Sequence, residues 1–527
     1  MRKKRAAPRP ADAVRGTDRC ARGGAAWPRA RAIARVTRPA SGASPARRAF
    51  PPTPMKSTVA RLLVAGALLL GVLLPMASPL HATVTTFNNH LGRNFSDPHV
   101  FAHTDGYYYF VWTLGDRIVL YKSRTLTGLT AYVARSVPLA STTRGAVWAP
   151  EIHRIGSSWY IYYTAGANDA ARRIYVMENT AADPTTGTWT DRGQVTGSGN
   201  GIDATTFVAN GQRYFMYAGY DEFYESLYIA RMSSPTALAT GLTRIANVNQ
   251  SWENGLLEGP APLVRGGKVF IAYSTYPCDS DNYRLGLLTA NETADLLSPA
   301  SWTKSGPWLN NNTTGNAFAS GHNCFAPSKD GTEWWIVYHS NTSAGQGCGT
   351  TRKLRIQKVS FDGSGNPQAM TAVATATDLA YPAGEGQRLV QHQTEDLSMT
   401  ASSGDTHEVL VEDFASGRGR TFYNSNAVGD YVTYTFNVPV AATYDIWVYA
   451  DMGPSRGIAQ TVVDGTNLGV ATDYYSSALL GGERFNIGSR TLSAGNHTIR
   501  FSVTGKNASS TSYTLGFDVI YLTKTSP

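Results

Sequence analysis

Asp97, Glu151, Asp203 and Glu258 follow one another at steps of 54, 52 and 55 residues, and His322 comes 64 residues later. Each sits in a short signature: Ser96-Asp97-Pro98-His99, Trp148-Ala149-Pro150-Glu151, Gly201-Ile202-Asp203, Leu257-Glu258-Gly259-Pro260 and Gly321-His322-Asn323. Two carboxyl groups are what hydrolysis of a glycosidic bond needs. One protonates the leaving oxygen and the other draws a proton from water, and an inverting enzyme holds them about 6.5–9.5 Å apart so that the water fits between. Asp97, stiffened by Pro98, reads as the base. Glu258, between Leu257 and Gly259-Pro260, has an apolar setting that raises its pKa and suits it to be the acid. Asp203, flanked by Ile202 and Ala204, is a third carboxylate whose charge would keep Glu258 protonated and orient it. Taken alone, an Asp-Pro or a Glu before Gly-Pro is a turn, and a single histidine is a structural residue. It is their recurrence together that points to chemistry.

The elements that must bring these residues together are strands. About ten residues after each signature comes a Gly-punctuated turn and a run of aromatic and β-branched residues: Tyr107–Trp112, Trp159–Tyr163, Tyr214–Tyr217, Val269–Tyr273 and Trp334–Tyr338. A period of this size built from strands is the mark of a β-propeller, whose equivalent positions face one axis. Five four-stranded blades need roughly 250–290 residues, which the span 83–381 supplies. Asp105-Gly106, Asn210-Gly211, Gly266-Gly267 and Asp330-Gly331 are the hairpin turns. Pro382 to Gln393 reads as part of a linker, 382–394. From Glu395 to Thr523 the period is lost, while segments such as Tyr431–Phe436 and Tyr444–Tyr449 alternate apolar and polar residues. That pattern predicts a β-sandwich over 395–527. The fold class is therefore all-β, a five-bladed β-propeller followed by a jelly-roll-like sandwich.

The net charge of +9 on 527 residues is misleading as a sign of a polyanionic partner. Residues 1–54 alone carry 14 Lys/Arg against two Asp, which leaves the remainder at about −3. This leader has no apolar periodicity and no aromatic platform, so disorder is expected and nucleic-acid binding is not. From Met55, Lys56 and Arg61 precede the apolar run Leu62 to Leu74 and a small-residue stretch ending near Ala82. Residues 55–82 thus read as a secretory signal, with Met55 as the true start, and no membrane association is expected after processing. Of four cysteines, Cys20 lies in the leader, and Cys278 with Cys348 is the preferred disulfide, Cys324 being held near the axis by its closeness to His322. A monomer is expected.

The ordered set Ser-Asp-Pro, Trp-Ala-Pro-Glu, Gly-Ile-Asp, Glu-Gly-Pro and Gly-His-Asn resembles glycoside hydrolase family 43 over about residues 84–370. The resemblance implies a five-bladed propeller that inverts the anomeric centre, with Asp97 as base, Asp203 as pKa modulator and Glu258 as acid. It implies His322 beside water or a hydrated cation on the axis, with a structural Ca2+ compatible there and no cofactor needed for the chemistry. It places an arginine of Arg352-Lys353-Leu354-Arg355 against the sugar, for which Arg355 is preferred. Trp148 becomes a wall for stacking on a sugar face or a packing residue, and Glu151 chiefly a packing element. Val428-Gly429-Asp430-Tyr431 and Gly495-Asn496-His497-Thr498 resemble jelly-roll carbohydrate-binding modules. The activity implied is release of L-arabinofuranose from arabinan or arabinoxylan outside the cell. A β-xylosidase or endo-arabinanase on the same scaffold stands beside it, as does a lectin that binds arabinose- or xylose-containing polysaccharide without cleaving it. The trio of carboxylates argues against the lectin.

Overall fold

The computed structural model describes residues 86–525 apart from 90, 93–94, 221–224, 376, 386–388, 411–414 and 416–418. The expected leader and signal segment, 1–82, lie outside the described residues.

Four sheets, antiparallel except for one short outer pairing of Thr303–Asn310 with Met370–Thr371, follow one another along the chain as blades, each opening on an innermost strand: Ser96–Ala102, Ala146–Ile155, Gly201–Ala209 and Leu257–Arg265. The fifth opens on Phe318–Pro327 and continues through Trp334–Asn341 and Lys353–Lys358. Each innermost strand contacts that of the next blade, and the fifth contacts the first, so the ring closes. The second strands, such as Tyr108–Thr113 and Ser158–Gly166, are apolar at almost every position because both faces are covered by neighbouring blades. Burying a ring such as Trp159 or Tyr163 completely contributes about 2–3 kcal/mol each to that packing. Asn210-Gly211 and Gly266-Gly267 take positive φ at both positions, as the expected two-residue hairpin turns require.

The fifth sheet has three strands of its own, and the incoming chain supplies its outer edge. Leu91 N–H donates to Leu354 O at 3.0 Å and Leu354 N–H to Gly92 O at 2.8 Å. Thr86–Asn88 then pairs with Asp378–Ala380 from the far end of the propeller. Entry and exit of the chain are thereby fastened at the same seam.

The C-terminal portion is a sandwich of two antiparallel sheets. Val432, Tyr434, Phe436, Ile499, Phe501, Phe517 and Leu522 fill the space between them. Within it, Asp451 is buried between Arg420 and Arg456. The stretch expected to be a linker is different in kind: Leu389–Gln393 is a strand paired with Leu515–Lys524, and Glu385 is buried, accepting from Thr127 Oγ1 at 2.8 Å. Its Pro/Gly composition marks a change of direction rather than a flexible tether. The sandwich also packs on the first blade through Trp447, Tyr449, Val519 and Tyr521 around Ala131, with Arg124 paired to Asp445 at 3.1 Å.

Candidate active site

A bulge built the same way in all five innermost strands forms the site. Two residues stand unpaired opposite one: Asp97-Pro98 opposite Trp112, Ala149-Pro150 opposite Tyr163, Asp203-Ala204 opposite Tyr217, Gly259-Pro260 opposite Tyr273 and His322-Asn323 opposite Tyr338. The first of each pair is left-handed, with φ of 52°, 40°, 59°, 56° and 44° respectively. An extra residue of this kind bends the strand and re-aims its side chain. Non-glycine residues pay for that conformation with strain, which clusters at functional sites. Glycine is needed at 259 for space as well, because a Cβ there would stand 3.1 Å from the His322 ring.

The bulge corrects the phase read from the carboxylates. Asp97, Asp203 and His322 are equivalent, sharing their position with Ala149 and Gly259. Glu258 stands one residue earlier, in step with Trp148, and Glu151 two residues later, in step with His99. The prolines carried this information: Pro98, Pro150 and Pro260 occupy one common position. Glu151 accordingly lies farther along the axis, 2.9 Å from His153 Nε2 and 3.6 Å from His99 Nε2.

The expected trio does converge. Asp97 Oδ1 is 3.4 Å from His322 Nδ1, which is 3.8 Å from Asp203 Oδ2. Donor atoms of Asp203, Glu258 and His322 lie within 4.8 Å of one another. Gly259 N–H donates to Asp203 Oδ2 at 3.0 Å, and Tyr283 OH to Glu258 Oε1 at 2.7 Å. The expected role of Arg355 is not met. It is wholly buried behind the sheet, donating to Val373 O and Thr375 Oγ1, whereas Arg352 Nη1 donates to Asp97 Oδ1 at 2.9 Å. The two residues are three apart, an odd number, so on an extended strand they face opposite sides. Trp148 is partly exposed beside the site, with the Arg172 guanidinium 3.1 Å from its ring centre.

The electrostatics separate the carboxyls. Burial works to raise the Asp97 pKa, but the Arg352 guanidinium leads the influences that outweigh it and hold Asp97 well below the usual carboxylate range. Burial, reinforced by Asp203 and Glu225, pushes Glu258 well above its ordinary value. Burial and the nearby Asp97 push Asp203 up to about 8. Burial also lowers His322 and His339, so both rings are neutral neighbours of Asp97. One group is thus kept ionised and another kept protonated within one pocket, which is the division of labour acid–base catalysis needs.

Four residues at the site were not singled out by motif. Arg352 was the arginine passed over in favour of Arg355. His339 accepts the Asp97 N–H on Nδ1 at 3.1 Å, and Tyr283 stacks on its ring. Glu225 is a close neighbour of Glu258, and burial together with the charge of Asp203 raises its carboxyl to about 7. Glu225 opens the third strand of its blade, Glu225–Ser234, and Tyr283 lies just before the third strand of the next, Arg284–Asn291, where the sequence carries no repeat signal. Cys278 and Cys348 form a disulfide, and Cys348 O accepts from Arg352 Nη2 at 2.9 Å, which helps to aim that side chain.

A calcium ion fits poorly among Asp203, Glu258 and His322. Ca2+ takes six to eight oxygens, whereas this set offers two carboxyl groups, both favoured by burial in their protonated form, and a nitrogen 3.4 Å from Asp97 and 3.8 Å from Asp203.

A sequence model of glycosyl hydrolases family 43 matches residues 88–367, just over half the chain and the whole ring of bulges. The chain belongs to that family. An extracellular exo-alpha-(1->5)-L-arabinofuranosidase of Streptomyces avermitilis is 41% identical over 327 residues, covering 57% of this chain and 68% of the relative. Alpha-L-arabinofuranosidase 43 of Humicola insolens is 38% identical, covering 52% of this chain and 60% of that protein. The crystal structure of alpha-L-arabinofuranosidase from Lactobacillus brevis aligns with a TM-score of 0.53 at 30% identity, over 55% of this chain and 98% of that one. As a family 43 member the chain is a glycoside hydrolase on a five-bladed propeller, and the matched region ends before the sandwich begins.

Proposed function

We propose that this family 43 enzyme is a secreted inverting hydrolase that releases L-arabinofuranose from arabinose-containing plant polysaccharide. The observation that carries the mechanism is the opposed titration of Asp97 and Glu258 in one pocket. Asp97, kept anionic by Arg352, takes a proton from water as that water attacks the anomeric carbon. Glu258 gives its proton to the departing glycosidic oxygen, with Tyr283 OH fixing its orientation. Asp203, anchored by the Gly259 N–H, discourages Glu258 from ionising and fixes its carboxyl. Neutral His322 and His339 hold Asp97 in place without taking its proton. The step needs only carboxyl groups and water.

The preference for arabinose over xylose draws support from the names of the relatives, and export from the word extracellular in one of them together with the apolar segment from Leu62. The sandwich, from Leu389 onward, is proposed to hold polysaccharide near the propeller. Initial rates on aryl α-L-arabinofuranoside and aryl β-D-xyloside decide the sugar, with faster turnover of the arabinoside expected. Proton NMR of the first-formed anomer decides the stereochemistry. A dominant xyloside activity would overturn the arabinose assignment, and a retained anomer the mechanism.

A further inference from the structure

We propose that a cleft between the first blade and the sandwich binds a neutral sugar unit of the polysaccharide, so that both domains hold the substrate chain beside Asp97. The proposal rests on the hydrolase reading above and extends it to the part of the substrate that is not cleaved.

The cleft encloses about 530 Å³ and is lined on one side by Trp112, Tyr121 and Tyr132 and on the other by Glu483 and Arg484 of the strand Leu480–Leu492. Its lining borders the strand that carries Asp97. Trp112 is the residue opposite the Asp97-Pro98 bulge, and its neighbour Thr113 pairs with Ser96. Phe95, also in the lining, donates its N–H to Arg352 O at 3.3 Å.

Two donors on residues of this lining are buried and have no acceptor among the described residues. Trp112 is only 4% exposed, and its indole Nε1–H meets no acceptor. The Nε–H of Arg484 is likewise unpaired, although Nη1 reaches Tyr121 OH at 3.4 Å and the guanidinium lies 4.5 Å from the Phe95 ring centre. A buried donor left unsatisfied costs about 1–3 kcal/mol. The other blades supply a comparison. At the same place opposite the bulge, Tyr163 accepts from Arg144 at 2.7 Å, Tyr273 donates to Glu253 at 2.7 Å and Tyr338 donates to Gln357 at 3.3 Å. Only on the first of these four blades does a tryptophan take the place, and its polar atom has no partner among the described residues.

The chemistry of the lining selects the ligand. Two N–H donors call for acceptors, which sugar hydroxyl and ring oxygens provide. The aromatic wall, with Tyr121 and Tyr132 stacked at 4.1 Å, suits the apolar face of a sugar ring. Glu483 offers a carboxylate to a hydroxyl hydrogen and offsets one of the two arginines of the lining, Arg135 and Arg484, so the lining carries little net charge with which to select an ionised ligand.

The test uses the full-length protein. Trp112→Phe keeps the ring and deletes the donor, and Arg484→Gln shortens and neutralises the second. Each is expected to raise KM for α-1,5-linked arabinotetraose about fivefold to tenfold, the loss expected for one hydrogen bond, while kcat/KM on aryl α-L-arabinofuranoside stays within twofold. In addition, 15N-indole spectra of the Glu258→Gln protein are expected to show one N–H resonance shifting with arabinotetraose and missing in the Trp112→Phe double variant. Unchanged KM in both variants, or no indole shift at saturating arabinotetraose, overturns the cleft proposal. If Trp112→Phe fails to fold, Arg484→Gln and the indole titration decide alone. If the unmodified protein leaves aryl arabinofuranoside intact, it is the hydrolase reading that fails, and the indole titration still reports on the cleft.

Discussion

Replacing Arg352 by Met removes the one full positive charge that touches Asp97 and keeps most of the side-chain volume. At 2.9 Å, and with an effective dielectric constant of 20, Coulomb's law bounds the pair at about 6 kcal/mol. A carboxylate beside an arginine typically has its pKa lowered by about 1–3 pH units. That smaller range is the better guide, because His322 and His339 stay in place. Without the guanidinium, burial dominates and the Asp97 pKa rises. Asp97 acts as a base only when ionised, so the acid limb of kcat/KM should move about 1–3 pH units toward neutrality, while the alkaline limb, which belongs to Glu258 and its coupled neighbours, moves little. The assay is a pH profile of kcat/KM on aryl α-L-arabinofuranoside from pH 3 to 9, with circular dichroism as a check on folding. If the rate fell evenly at all pH values and the acid limb stayed where it was, Arg352 would be a substrate-binding residue only, and the account of how Asp97 is kept ionised would be wrong.

Glu258→Gln is expected to abolish cleavage of arabino-oligosaccharides while sparing part of the activity on aryl glycosides with good leaving groups, since those need little protonation; equal losses on both would count against Glu258 as the acid. Asp203→Asn should draw the alkaline limb to lower pH, because without the neighbouring negative charge Glu258 ionises more easily; a profile identical in shape would remove its modulating role. The same variant should be more stable in denaturant titrations. Asp203 titrates near 8 in the fold against 3.8 in the open chain, so the folded state holds a proton that the unfolded state has released between those values, and stability falls as pH rises across that window. The gain should be absent at pH 3.5 and approach an upper bound of about 6 kcal/mol by pH 8.5. Asp451→Ala leaves Arg420 and Arg456 buried without their shared counter-ion and should cost about 3–5 kcal/mol in urea unfolding of the sandwich; a cost under 1 kcal/mol would mean that water reaches the guanidinium groups.

Fold and site were legible to different depths. The repeat of signature, turn and aromatic run was enough for the five blades, because a propeller writes its period into the chain at every turn. The meeting of Asp97, Asp203 and Glu258 was legible because these carboxylates recur at the blade entrances, where chain connectivity alone brings them to one axis. Their relative phase was not. Glu258 and Glu151 lie on either side of the bulge position, and a bulge changes which way a residue faces without changing its type; only the shared prolines hint at it. Arg352 and Arg355 illustrate the same limit, since which of two arginines three residues apart turns inward depends on where the strand begins.

The linker shows a different limit, and it bears on how the enzyme works. Pro382–Gln393 has the composition of a tether, yet Glu385 is bound to the first blade and Leu389–Gln393 belongs to the sandwich. Composition records where a chain turns, whereas contacts made by residues far apart decide whether the turn is free. Trp447 and Tyr449 look like ordinary members of an alternating strand, but they are covered by the propeller instead of by water. A sandwich held in this way cannot sample substrate as an independent module on a string. It can serve the reaction only from a fixed position, with Arg484 of the strand Leu480–Leu492 set against Tyr121 and Phe95 at the first blade.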